Sequence, residues 1–446
     1  MAQEAAKAQT GDKTDPHGVS HHHLGGLPSE LFDKILFEID AIRDLAHFIA
    51  TARFVYRRFR IQRRAVLFGV LQNELGPVLV DARFLFVFPY SDPADQVRYI
   101  DWLHLMADVY REMLRGGNTE DGMPVRGDAL PSLKELTALC RTLHQINFIA
   151  DMYVTARLGL FDLGGGGGTP ATAPLSPLER RRLVRAFYRR QILSNAWAAT
   201  RRPQYWTHED TAAISNSSTH QGERLGLLGT LEPWELQQID HADAFTTRLC
   251  LALVHHSPRT ADGAPGIPPR QFDDLFAHLH RLVRFLRTYR GVAELAARDL
   301  PAGMEPAHCA RLRDEYVNPY QMIPMRLAWQ ADRAASFPDP VTDKWEQDRL
   351  VVPYVGDGLD LVPYGWLDAL RGRYVNWFGE GLHSIPWLPT WQSSRQSSDQ
   401  FNAVNLWTNA GFSLWDRKRV EALKGLSMFG ELYTGWVLNR LIERDD

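Results

Sequence analysis

Apolar residues recur at helical spacing through most of this chain, and this period limits the folds open to it. The first instance is a stripe of Leu27, Leu31, Ile35 and Ile39, with Leu36 beside it. Residues four apart share one face of an α-helix. Similar patterns predict helices at about 95–115, 131–159, 178–200, 233–256 and 271–299. Only the short apolar runs 77–88 and 350–355 are candidates for strands, so we predict an all-α, mainly helical fold.

The region that begins at Leu27 is predicted to form three helices. Pro28 suits a first helical turn, where no backbone N–H is needed. Asp44 is placed to cap the second helix. A third helix is expected from about Ala52 to Leu75, with Pro77 helping to stop it.

Changes in composition divide the rest of the chain. Residues 1–26 have little to bury and predict a disordered leader. Five consecutive glycines at 164–168 open a Gly- and Pro-rich linker or long loop, and Ser176 with Glu179 matches a capping box. The predicted order is the leader at 1–26, a helical module at 27–75, a helical region at 76–163, the linker at 164–178, a helical body at 179–330 and a C-terminal region at 331–446 that packs on the body.

Net charge and hydropathy limit the partners and the compartment. The chain has 446 residues and a net charge of −3, so no global basic field attracts nucleic acid or an anionic membrane. Six arginines within 53–64 form a basic segment, which we interpret as a solvated face rather than a nucleic-acid site. The run 84–88 is too short to span a membrane, and 1–26 contains no signal-peptide core. Three dispersed cysteines indicate a reducing compartment, so we predict a cytoplasmic or nuclear protein without membrane or nucleic-acid partners.

No catalytic motif, cofactor motif or metal-ligand spacing stands out in the sequence. The glycine run does not follow a strand and lacks the lysine of a phosphate-binding loop. The pairs His255–His256 and His278–His280 fall on different helical faces, and a metal site needs three or four convergent ligands. We therefore predict no enzyme activity, no cofactor and no metal.

Aromatic residues concentrate near the C-terminus. Nine of the thirteen tryptophans lie at or after Trp329, and prolines are interleaved with them. Such a region supplies either core packing or an interaction groove, and core packing is the commoner use.

The opening stretch resembles an F-box. It supplies Leu-Pro-Ser-Glu-Leu at 27–31, then aliphatic steps, then Asp44-Leu45, and then the basic-aromatic segment Tyr-Arg-Arg-Phe at 56–59. The following stretch 63–84 and the segment 409–425, which contains Trp-Asp-x-x-Arg, resemble parts of filamentous-fungal F-box-like proteins. The resemblance therefore touches both ends of the chain. A Trp that often follows the third helix is absent, and Phe68 stands near its place.

The resemblance implies a non-enzymatic adaptor of an SCF-type (Skp–cullin–F-box) ubiquitin ligase. Its helices would dock on a Skp-type linker, and through it a cullin, while the remainder captures an unidentified protein substrate. The residues implied for docking are Leu27, Pro28, Glu30, Leu31, Ile35, Leu36, Ile39 and Leu45. The alternative is a helical scaffold or interaction protein in which the same stripe is internal core and no ligase role exists.

Overall fold

The chain is organised as two compact units of helices. The structure, a computed structural model, describes residues 27–88, 99–115, 130–158, 173–196, 226–231, 233–256, 275, 278–288, 358–361, 363 and 411–424. Residues 1–74 form one unit and residues 75–446 the other. Helices contain 84% of the described residues and strands contain none, which confirms the all-α prediction.

The N-terminal unit contains four helices. They are α1 (Ser29–Phe37), α2 (Ile42–Thr51), α3 (Arg53–Ile61) and α4 (Arg63–Leu75). Their inward faces form one apolar core, made of Phe32, Leu36, Leu45, Val55, Phe59, Val66 and Val70. Most of the stability of such short helices comes from this packing, because isolated helices of this length are marginal in water.

Two local predictions for this unit are wrong. The second helix begins at Ile42, and Asp44 lies inside its first turn rather than at the cap. The backbone N–H of Ile42 instead donates to Glu74 Oε2 at 2.8 Å, so a distant carboxylate does the capping. The predicted third helix is broken at Gln62, whose backbone N–H donates to Phe59 O in a tighter turn.

The second unit begins with helix where a strand had been a candidate. A 3₁₀ turn (Gly76–Val78) leads into α5 (Leu79–Val87), so the strand prediction for 77–88 is wrong. Gly76, in this 3₁₀ turn, has φ +53°, a left-handed backbone conformation that residues other than glycine rarely adopt. The second strand candidate, 350–355, lies outside the described residues.

The other described elements of the second unit are α6 (Tyr99–Leu114), α7 (Leu133–Leu158), α8 (Pro177–Ala196), a 3₁₀ turn (Leu228–Thr230), α9 (Pro233–His256), α10 (Leu279–Thr288), a 3₁₀ turn (Phe412–Leu414) and α11 (Arg417–Lys424). Helices α6 to α9 agree with predicted helices to within a few residues where they are described, whereas the two 3₁₀ turns and α11 were not predicted. For the helix predicted at 271–299, most of the residues described fall in α10. The leader 1–26 and the five glycines lie outside the described residues.

Helix α8 is the centre of the second unit. It packs against α5, α7, α9 and the turn at 412–414. Of its 20 residues, 15 are buried, so it is enclosed on every side. The predicted capping box is confirmed: Ser176 Oγ accepts from Glu179 N at 3.1 Å, and Glu179 Oε2 accepts from Ser176 N at 2.9 Å.

The C-terminal region that is described lies against this helix. Trp415 is fully buried beside Tyr153, with ring centroids 6.3 Å apart. Gly411 has φ +71°, and a Cβ there would collide with the hydroxyl of Tyr153. The other late tryptophans lie outside the described residues.

One helical run among the described residues is long and apolar enough to cross a membrane by length and composition. It covers Arg63–Val87, and 44% of its most apolar window is buried within the structure. The sequence pattern indicated only the short apolar run 84–88. In the structure every position from 63 to 87 lies in a helix or a 3₁₀ turn, so the apolar helical run is longer. A buried core helix passes the same test, so this is weak evidence for a membrane segment.

Candidate functional site

The predicted stripe on α1 divides into an outer and an inner set. Leu27, Leu31 and Ile35, which we call the outer stripe, are 36%, 52% and 38% exposed. Leu36 and Leu45 are 0% and 2% exposed and belong to the apolar core. Helix α1 therefore presents apolar side chains on two adjacent sides, and only one of these sides is buried.

Phe32 explains why the outer stripe is left outside. Its ring lies between those of Phe48 and Phe54, with centroid distances of 5.8 and 5.7 Å. Phe32 and Leu36 are four residues apart and together fill the inner face of α1. Leu31 and Ile35 each precede one of these residues by one position, so they lie on the adjacent side of the helix and stay exposed.

The remaining predicted docking residues lie on or near the surface. Pro28 and Glu30 are exposed at the start of α1, and Ile39 is half-buried against the core. The carbonyl of Pro28 accepts the N–H groups of Leu31 and Phe32, both at 3.1 Å. The carboxylate of Glu30 accepts a hydrogen bond from its own backbone N–H and another from the hydroxyl of Ser29, and both lower its pKa.

Polar contacts fix the orientation of α1 on the other helices. Arg58 donates to both carboxylate oxygens of Asp33, at 2.6 and 2.5 Å, and Gln62 Nε2 donates to the same carboxylate at 2.6 Å. The hydrogen bond from Arg58 lowers the pKa of Asp33. At the other end of α1, Asn73 Nδ2 donates to the carbonyls of Phe37 and Ile39. The outer stripe is therefore held in a fixed position rather than on a loose terminus.

The basic segment on α3 is exposed, as expected for a solvated face. Arg53, Arg57 and Arg60 all lie at the surface, while Arg58 is half-buried in its pair with Asp33. Apolar side chains of the same helix are also exposed: Phe54 by 40%, Tyr56 by 47% and Ile61 by 73%.

A second cluster of functional interest was missed at the sequence level. It consists of four buried arginines on α8, here called the α8 arginines: Arg182, Arg185, Arg189 and Arg190. Each has a carboxylate within 3.1 Å. The sequence did carry a signal for this cluster. Positions 182, 185 and 189 share one helical face, and the helix has no separate polar side that could be assigned to solvent.

Arg189 lies at the centre of a buried network. Its Nε is 2.8 Å from Asp81 Oδ1, and its Nη1 is 2.7 Å from Glu235 Oε1. Tyr110 donates its hydroxyl to Asp81. Burial raises the pKa of Tyr110 well above its ordinary value, so its proton stays on the oxygen. The network ties α5, α6 and α9 to α8.

Arg157 is a further buried cation, at the end of α7. Its guanidinium lies 5.7 Å from the ring centroid of Tyr153 and 5.9 Å from that of Phe245. Burial lowers its pKa from the ordinary value.

The described residues offer little for nucleophilic or metal chemistry. They contain no group of three or more His, Cys, Asp or Glu that could hold a metal ion. Cys250 is buried, and burial raises the pKa of its thiol to about 12, which leaves almost no thiolate at neutral pH. The imidazoles of His278 and His280 lie 5.4 Å apart, centroid to centroid.

Comparison with known proteins found no family model that matches the chain, no similar curated protein and no similar solved structure.

Proposed function

We propose that this protein is a non-enzymatic adaptor whose N-terminal unit is an F-box-like docking module. In this proposal α1 and its neighbours bind a Skp-type linker and through it a cullin, and the rest of the chain recruits a protein for ubiquitylation. The site of action would be the cytoplasm or the nucleus.

The observation that carries the proposal is the exposed outer stripe beside a complete core. A monomeric protein has little reason to expose leucine and isoleucine side chains in a row on a well-ordered helix. Burying them against a partner would be favourable by roughly 25 cal/mol for each Å² of apolar surface. The fixed position of α1 lowers the entropic cost of that binding.

In this proposal the eight implied residues have different roles. Leu27, Leu31 and Ile35 would contact the linker, with Pro28 and Glu30 at the rim. The other three, Leu36, Ile39 and Leu45, support the helix from within or from the edge of the core. Because Leu36 and Leu45 are inaccessible, we leave them out of the proposed contact surface.

The scaffold alternative requires the outer stripe to be internal core. Exposures of 38% for Ile35 and 52% for Leu31 do not favour that alternative. They support the adaptor, in which the same side chains become buried only when the linker binds.

Co-purification with a Skp-type linker tests the proposal. The full chain is co-expressed with a tagged linker, as wild type and as Leu31→Asp with Ile35→Asp. The wild type should co-purify, and the double variant should be lost from the complex while keeping its helical circular dichroism. Ile61→Asp is the matched control, because Ile61 is also exposed and apolar but lies on α3. Retention of the double variant, or absence of the wild type, would overturn the docking assignment.

A further inference from the structure

Two of the α8 arginines hold a short turn from the far C-terminal region. Arg182 Nη2 donates to the carbonyl of Gly358 at 3.1 Å, and Arg185 Nη2 donates to the carbonyl of Leu359 at 2.6 Å. Arg185 Nη1 donates to Asp360 Oδ1, also at 2.6 Å. More than 170 residues of sequence separate the turn from α8, so this contact is made entirely by tertiary structure.

The two guanidinium groups are held in place by groups other than the turn. Glu235 Oε1 lies 3.1 Å from Arg185 Nη2, and Asp416 Oδ1 lies 2.6 Å from Arg182 Nη1. The side chains of Arg182 and Arg185 are 0% and 3% exposed, on a helix that is itself enclosed. If the turn were removed, these carboxylates would still hold both guanidinium groups in their present orientation.

The turn is bound in the way that proteins bind short peptide motifs. Two backbone carbonyls and one carboxylate receive the arginine donors, and the side chain of Leu359 is buried. A Cβ on Gly358 would come within 2.8 Å of Leu361 Cδ1, so a glycine suits this tight turn. Arg185 donates one N–H group to the Asp360 carboxylate, which favours an acidic residue at that position, whereas the carbonyl contacts accept any residue type.

The edge of this site is open to solvent. The side chain of Asp360 is 71% exposed, although its partner Arg185 is 3% exposed. The carboxylate therefore reaches a buried arginine from the surface. Asp360 is thus an exposed position at which the internal ligand can be weakened without a change inside the core.

We infer that Arg182 and Arg185 form a binding site for a short acidic turn of the type Gly-Leu-Asp, and that residues 358–361 occupy it as an internal ligand. A partner protein that carries a similar acidic turn competes for the same donors. The inference does not rest on the proposed adaptor function, since no residue of the N-terminal unit takes part.

A peptide competition experiment tests the site in the full chain. The probe is a fluorescently labelled peptide of residues 354–363, measured by anisotropy against wild type and Asp360→Arg. The substitution places a cation against Arg185 and weakens the internal ligand at an exposed position. Residues 358–361 are part of the chain, so they compete with the peptide at an effective concentration of about 1 mM. Weakening this internal ligand should therefore tighten peptide binding about tenfold or more. The same peptide with Asp360→Asn should lose most of that binding.

Matched controls make each outcome decisive. Asp151→Arg reverses another exposed carboxylate that pairs with an α8 residue, Arg180, outside the site, and it should bind the peptide as wild type does. If Asp360→Arg reduces helical circular dichroism, Asp360→Asn is used instead, with the same direction and a smaller increase. The inference is overturned if the weakened variant binds no better than wild type, or if the native and Asn-containing peptides bind it equally.

Discussion

Two arginine-rich stretches of this chain have nearly the same local composition and opposite environments. Residues 53–64 and 180–190 each contain six arginines and no acidic residue. In the first, most arginines lie at the surface. In the second, the four α8 arginines are almost completely buried.

The difference depends on whether other elements of the fold place a carboxylate next to each arginine. The core of the N-terminal unit is purely apolar, and one arginine of α3, Arg58, is paired with Asp33 at its border. The α8 arginines receive carboxylates from other elements, namely Asp81, Glu235, Asp243 and Asp416. Such partners offset the cost of burying a guanidinium, because desolvation of the charge costs several kcal/mol. A basic segment is thus buried or exposed according to its tertiary neighbours.

The largest expected effect is on Arg189. Replacing Arg189 by Met should lower the free energy of unfolding by about 3–5 kcal/mol, because Asp81 and Glu235 lose a partner inside the protein. The same change at Arg57, which is exposed on α3, should stay within about 0.5 kcal/mol. Urea unfolding followed by circular dichroism measures both. Equal costs at the two positions would contradict the contrast between the stretches.

The two faces of α1 should differ almost as much. Leu36→Ala removes a fully buried side chain and should cost about 2–4 kcal/mol. Leu31→Ala, at a position 52% exposed, should cost less than about 0.5 kcal/mol. Thermal unfolding of the two single variants, each made in the full chain, compares these two costs. A large loss at Leu31 would place the outer stripe in a core instead of at a surface.

A double-mutant cycle sharpens the assignment of the buried pair. Arg189→Met and Asp81→Asn should each destabilise the protein, but the double variant should cost less than their sum by about 1–3 kcal/mol. The reason is that each single change leaves one buried partner unmatched, whereas the double change removes both. Additive costs, measured by the same urea titrations, would mean that the two side chains are not energetically coupled.

The smallest effect concerns Asp33 and pH. Its pKa is lowered in the folded protein by Arg58, so the ionised pair stabilises the fold above the unfolded pKa of roughly 3.9. That contribution is lost as pH falls through the folded pKa. Thermal midpoints of wild type and Asp33→Asn should differ slightly at pH 7 and converge as the pH falls below about 4. A difference that grows on acidification would contradict the assignment.

Helix positions were largely predictable because they depend on local patterns. The capping box at Ser176 and Glu179 and the period within Leu133–Leu158 are encoded in neighbouring residues. The cap of α2 was not predictable, because its acceptor is Glu74, 32 residues away. The candidate strand at 77–88 failed because a short apolar run fits a buried helix as well as a strand.

The proposed docking surface could be predicted only as a set of candidate residues. Periodicity and the ordered F-box-like residues identified the helix, but both Leu31 and Leu36 fit an apolar face. Phe32, which no pattern singled out, determines which side of the helix is buried, because its ring packs against those of Phe48 and Phe54.

The amino-acid sequence alone was enough to predict a helical protein, the positions of most described helices and an apolar stripe near residue 30. Which side of that stripe faces outward, and which arginines are buried, could be read only from the folded chain. Helix formation depends on residues within a few positions, whereas burial of Leu36 or Arg189 depends on groups brought together from distant parts of the chain.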